Sequence, residues 1–90
     1  MANYIQLTRV GETVPSAFVR IDAEMCRALG QPVDAVKWLA GWYDWLAMGL
    51  ASGISPEKIR GWVKPRSLEM AIIEYIVTYY EVDAWYQAGR

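Results

Sequence analysis

The chain has 90 residues, 54% of them hydrophobic, with five Trp and six Tyr. Nine basic residues against ten acidic ones leave a net charge of -1, so no global field draws it onto nucleic acid or anionic lipid. It has no histidine, which removes the commonest general base and the commonest neutral metal ligand.

A chain of this length reads as one domain, 1–90. Small domains bury a modest share of their surface. The apolar surplus therefore has to be covered by a dense core, a second copy, a partner or a membrane. The single Cys26 allows no internal disulfide and fits a reducing cytoplasm. The start, MANYIQLTRVGET, lacks a basic stretch followed by an apolar run, so no secretory signal is expected.

In chain order, Tyr4 to Val10 and Val14 to Ile21 are rich in β-formers, with Gly11-Glu12-Thr13 between them. This pattern predicts a hairpin, with Ile5 and Leu7 facing inward from one strand and Ala17, Val19 and Ile21 from the other. Pro15 cannot donate to a ladder and demotes the second strand to an edge. Asp22 then suits the cap of a short helix, Ala23 to Leu29, stopped by Gly30. Pro32 and Asp34 open a longer helix reaching about Ser52, with Gly53 as its stop. Ser55-Pro56-Glu57 is a strong helix start, for a segment reaching about Val63 before Lys64-Pro65 breaks it. Ser67 caps a last long helix, Leu68 to about Tyr80, and an aromatic turn at Ala84-Trp85-Tyr86 follows Asp83. The expected fold class is mainly α with a short N-terminal β-hairpin (α+β). The hairpin occupies 1–21, and a compact bundle of about four helices occupies 22–90. The stretches from Gly30 to Lys37 and from Gly53 to Arg60 resemble each other, as two generic stop-and-start signals would.

The segment KWLAGWYDWLAMGLASG is the most unusual in the chain. At about 100° per residue, Trp38, Leu39, Trp42, Tyr43, Leu46, Gly49 and Leu50 share one arc, and Trp45 borders it. The opposite arc carries Lys37, Ala40, Gly41, Asp44, Ala47, Ala51 and Ser52. The run is too short for a membrane span, and Asp44 sits at its middle, so a core helix is expected. Asp44 itself has two readings. It is either solvated or paired with Lys37 or Arg60, or it is an acid that anchors a partner's basic residue.

The last long helix is apolar almost all round, with only Glu74, Thr78 and Glu81 as a polar stripe. It is either the central helix of the domain or an interface with a second copy or partner. Tyr75, Tyr79, Tyr80, Trp85 and Tyr86 are the interface candidates, since aromatic residues are enriched in hot spots. A homodimer is one way of covering them.

Catalytic chemistry is hard to find. Cys26 lies in EMCRAL with no histidine to activate it, no cysteine cluster suits zinc, and Gly41, Gly49 and Gly53 are not spaced as a phosphate loop. No enzyme activity, cofactor or metal is expected. Lys58, Arg60, Lys64 and Arg66 crowd around Trp62 in SPEKIRGWVKPRS. A helix-turn-helix would use such a patch, but the helix after it, SLEMAIIEYI, has no Arg, Asn or Gln to read bases. Nucleic acid is therefore the weaker partner, and a solvated patch or an acidic protein contact the stronger reading.

The run MCRALGQPVDAVKWLAGWYDWLAMGLASGISPEKIRGW, from Met25 to Trp62, together with the terminal VDAWY, resembles small proteins carried by phages and prophages. The resemblance implies a class of small accessory proteins, including anti-CRISPR and other anti-defence inhibitors, that act in the host cytoplasm by binding a host protein or defence complex. It carries over no functional residue. The alternatives are a small DNA-binding regulator and a phage assembly component.

Overall fold

A computed structural model describes residues 6–50 and 52–88. The first helix, α1 (Val14–Leu29), begins where the sequence offers a cap. The Thr13 hydroxyl accepts from the Ser16 N–H at 3.2 Å, and Pro15 sits in the first turn, where no amide donor is needed. Gly30, at φ 71°, ends the helix in the left-handed region.

This overturns the expected hairpin. No strand occurs among the described residues, and Tyr4 and Ile5 of the proposed first strand lie outside them. The stretch VPSAFVRI satisfies both a period of two and a period of 3.6, and Thr13 with Pro15 decides for the helix. Ala17, Phe18, Ile21 and Met25 consequently form the buried face, while Val19, expected inside, is 60% exposed. The turn at Gly11 is real, with φ 80° and an amide of Glu12 donating to the Arg9 carbonyl at 3.0 Å. It leads into a helix instead of a second strand.

The second helix, α2 (Ala35–Asp44), runs into a π-helical turn, Trp45–Gly49. Asp34 stands at its N-terminus with φ 51° and makes no capping bond. The cap comes from α1 instead: Asp22 Oδ1 accepts the Ala35 N–H at 2.7 Å. Asp22 thus caps a helix other than the one read from its neighbours, because α1 starts well before it and carries it past the start of α2. The π turn ends in a Schellman arrangement. The Ile54 N–H reaches the Gly49 carbonyl at 2.9 Å, the Gly53 N–H reaches Leu50 at 3.1 Å, and Gly53 adopts φ 100°. Ile54 folds back so closely that a Cβ on residue 49 would lie 3.0 Å from its Cδ1.

Three further elements complete the chain: α3 (Pro56–Arg60), α4 (Leu68–Tyr79) and α5 (Val82–Ala88). Ser55 and Ser67 cap α3 and α4 as expected, accepting from Lys58 N–H at 3.2 Å and Met70 N–H at 3.1 Å. Among the described residues the fold is thus five α-helices, one more than the bundle read from the sequence. The radius of gyration, 12.5 Å, matches the roughly 12 Å of a compact chain of this size.

α1 packs chiefly on α2, α4 lies against α2, α3 and α5, and α3 also meets α5. One cluster runs through all of them, from Leu7 and Phe18 through Leu39 and Ile59 to Ile72, Ile76 and Val82. The apolar surplus of α4 is resolved inside the chain. Ile72, Ile73, Ile76 and Val77 are buried, and only Leu68 and Tyr79 among its large apolar residues are exposed. Each fully buried side chain of this kind contributes about 1.5–3 kcal/mol, so α4 acts as the central helix. No described helix is long and apolar enough to cross a membrane.

Candidate functional site

Two surface regions gather the unusual side chains. The first is polar and centres on Arg20. Its Nε donates to Glu12 Oε2 at 2.8 Å and its Nη2 to Glu12 Oε1 at 2.9 Å and to the Leu7 carbonyl at 2.7 Å. Nη1 donates to Glu24 Oε1 at 3.4 Å and to the Tyr80 hydroxyl at 3.3 Å. All five guanidinium N–H groups are therefore committed. The Arg20 side chain retains only 17% of its accessibility, which strengthens these charge-assisted bonds. The fork from Arg20 and a 2.9 Å bond from the Arg9 amide hold the Glu12 carboxyl far below its ordinary range, at about 2. Arg20 is in turn held more firmly protonated by the Glu12 bond.

Glu24 extends the cluster. It accepts from Arg9 at 3.3 Å and from the Tyr75 hydroxyl at 3.4 Å. Burial, followed by the Glu24 charge, pushes the Tyr75 phenol up. Tyr75 also lies against Tyr79, with ring centroids 4.5 Å apart. A polar pocket of about 260 Å³ is lined by Arg9, Arg20, Glu24, Tyr75, Tyr79 and Tyr80, among others. Its best donor is fully used, so the cluster ties the N-terminal segment and α1 to α4.

The second region is aromatic. Trp42 stacks between Trp38 and Trp62, with centroids at 5.8 Å and 5.2 Å, and Trp45 meets Trp62 edge to face at 5.7 Å. The stack grows outward. Trp38 is buried, Trp42 and Trp62 are half-buried, and Trp45 is 52% exposed. Met48, at 57%, is exposed beside it. The π turn produces this arrangement. Its i→i+5 pattern advances less per residue than an α-helix, so the faces drawn on an ideal wheel shift. Ala47, expected on the small face, is buried, and Met48 is turned out, while Ala40 and Gly41 remain exposed. Ala51, also placed on that face, lies outside the described residues. Asp44, Trp45, Met48, Gly49, Ser52 and Ile54 line an open, mostly apolar pocket of about 330 Å³.

The other candidate residues divide between these regions and the core. Asp44 is exposed and borders the aromatic pocket. It does not pair with Arg60, whose Nε donates to Glu74 at 2.7 Å and whose Nη2 lies 3.6 Å from Asp83. Those bonds, Glu74 first, raise the Arg60 affinity for its proton and staple α3 to α4 and α5. The basic patch thereby loses one of its four cations to the fold. Lys58, Lys64 and Arg66 stay exposed, Arg66 with φ 65°. Tyr75, Tyr79 and Tyr80 belong to the Arg20 cluster, Trp85 is half-buried on α5, and Tyr86 is in the core.

Sequence reasoning missed Arg20, Trp45 and Met48. The Arg20–Glu24 pair was available as an i,i+4 spacing, and Trp45 already bordered the aromatic arc. Nothing local signals the π turn that exposes Met48. Among the described residues no group of His, Cys, Asp or Glu is arranged to hold a metal ion. Comparison with protein families, with curated proteins and with solved structures finds no match.

Proposed function

We propose that this chain is a small non-enzymatic binding protein that docks on a partner protein through the Trp45 and Met48 surface. The observation that carries the reading is the exposed end of the tryptophan stack. A large rigid aromatic and a flexible thioether stand in solvent beside an open pocket, although the rest of the aromatic array is buried or half-buried. Tryptophan anchors and adaptable methionines are the side chains that protein interfaces favour. A π turn at the same place adds support, since such turns collect at functional sites. The non-enzymatic half of the reading rests on the sequence, which offers no histidine and no nucleophile beside a base.

The phage-like resemblance supplies the class of partner: a host protein or defence complex in the host cytoplasm, modulated as anti-CRISPR inhibitors modulate theirs. The test is affinity capture from bacterial lysate with the tagged protein and with the Trp45→Ala/Met48→Ala double variant. The reading expects a host protein enriched by the first and lost with the second. The same proteins on both, or none above a tag-only control, would count against it.

A further inference from the structure

The pocket beside Trp45 has a chemistry that narrows what enters it. Its walls are apolar: the Trp45 indole, the Met48 thioether and the Ile54 side chain, which is folded against Gly49. Its only charged lining residue is Asp44. No cation among the described residues forms an ion pair with that carboxylate: the ion pairs join Arg9, Arg20 and Arg60 to Glu12, Glu24, Glu74 and Asp83. Gly49 and Ser52 belong to the closing turn of the helix that starts at Ala35. The pocket therefore lies at that helix's C-terminal end, where the backbone dipole is negative and favours cations. A carboxylate, a negative helix end and an exposed indole that can attract a cation all select the same sign of charge. Apolar walls around them select a ligand whose charge rides on a hydrocarbon stem.

We propose that this pocket receives an arginine or lysine side chain projected by the partner protein. The stem lies along Met48 and Ile54, the cationic head reaches Asp44, and Trp45 covers it. Long basic side chains combine apolar stems with charged heads in this way, and a guanidinium also stacks on an indole. The inference rests on the docking reading above and adds the chemistry of the residue that docks.

Selection from random peptides displayed on yeast separates the two. The baits are the wild-type protein, Asp44→Asn, Trp45→Ala and Met48→Ala. All three positions are exposed, so the variants keep the fold, which an unchanged far-UV spectrum verifies. The expected result is wild-type binders that carry a recurrent Arg or Lys and are lost with Trp45→Ala. In a double-mutant cycle, replacing that basic residue by norleucine weakens binding to the wild type about fivefold, the size of a partly exposed charge pair. The same replacement weakens binding to Asp44→Asn distinctly less, since only the helix end and the indole still favour the charge. Binders that need Trp45 but carry no basic residue, or that ignore Asp44→Asn, overturn the charge inference and leave the docking reading standing. Identical binders, or none, on wild type and Trp45→Ala overturn both.

Discussion

The Arg20 cluster and the Trp45 surface are both pocketed, both rich in aromatic rings, and opposite in how far their side chains are spent. Around Arg20 every guanidinium donor has a partner, and the acids beside it are shared among Arg20, Arg9 and Tyr75. At the other site a tryptophan, a methionine and a carboxylate stand in solvent. A saturated polar group holds a fold together, because a new ligand would have to break bonds to reach it. Unspent side chains cost the fold little and leave interactions to be made with something else. Conspicuous polar residues in a small protein can thus be its framework, and the side chains it leaves unspent can be largely apolar.

The contrast should be broken most heavily at Arg20. Arg20→Ala leaves Glu12 with only the Arg9 amide and the Leu7 carbonyl without its donor, and should cost about 2 kcal/mol in denaturant midpoint stability, as loss of charge-assisted hydrogen bonds does. Arg20→Lys should recover little of it, because an ammonium cannot make the two-pronged bond to Glu12. A Lys variant as stable as wild type would show that the fork is not what matters. Acid acts on the same cluster. The folded Glu12 titrates at about 2 against an ordinary 4.5. Its contribution is therefore complete above 4.5 and is lost as pH falls toward 2. Midpoints measured from neutral pH downward should decline through that window, and Glu12→Gln should begin lower and decline less.

Asp22→Ala should cost about 1 kcal/mol, the usual value of a helix cap, and should loosen amide protection at the start of α2 more than within α1. The smallest effect sharpens the comparison from the other side. Met48→Ala should change stability by less than about 0.5 kcal/mol, as surface substitutions do, and Trp45→Ala by no more than about 1 kcal/mol, the worth of its edge-to-face contact with Trp62, while each abolishes partner capture. A large stability loss at Trp45 would move it from the docking surface into the framework.

What the sequence made legible were the punctuation marks. Gly30, Gly53, Ser55-Pro56-Glu57 and Ser67 act within a turn of where they stand, and each helix boundary they mark is present. Asp22 was recognised as a cap but assigned to the wrong helix, because its acceptor bond spans 13 residues. Residues 14–21 were misread because two periodicities coexist there, and Val19, facing solvent, was the residue that distinguished them. At the candidate site, Asp44 stands out in the sequence through its isolation in an apolar run. Trp45 shows there only as the border of the aromatic arc, and Met48 not at all, since a π turn has no residue signature and shifts the side chains within it. The Arg20 network joins segments as far apart as Leu7 and Tyr80 through side chains that meet only in the folded chain, and no local pattern announces it.

The tryptophan stack also gives the protein an optical property. Indoles 5.2–5.8 Å apart in three successive pairs have transition dipoles that couple, so the near-ultraviolet circular dichroism belongs to the array and not to single rings. Trp45 is the last ring of that array and the one in solvent. Whatever closes over it changes both its polarity and its angle to Trp62, and the whole coupled signal changes with it. The molecule therefore carries an unlabelled reporter at the place where docking is proposed, readable without attaching a dye or altering a residue.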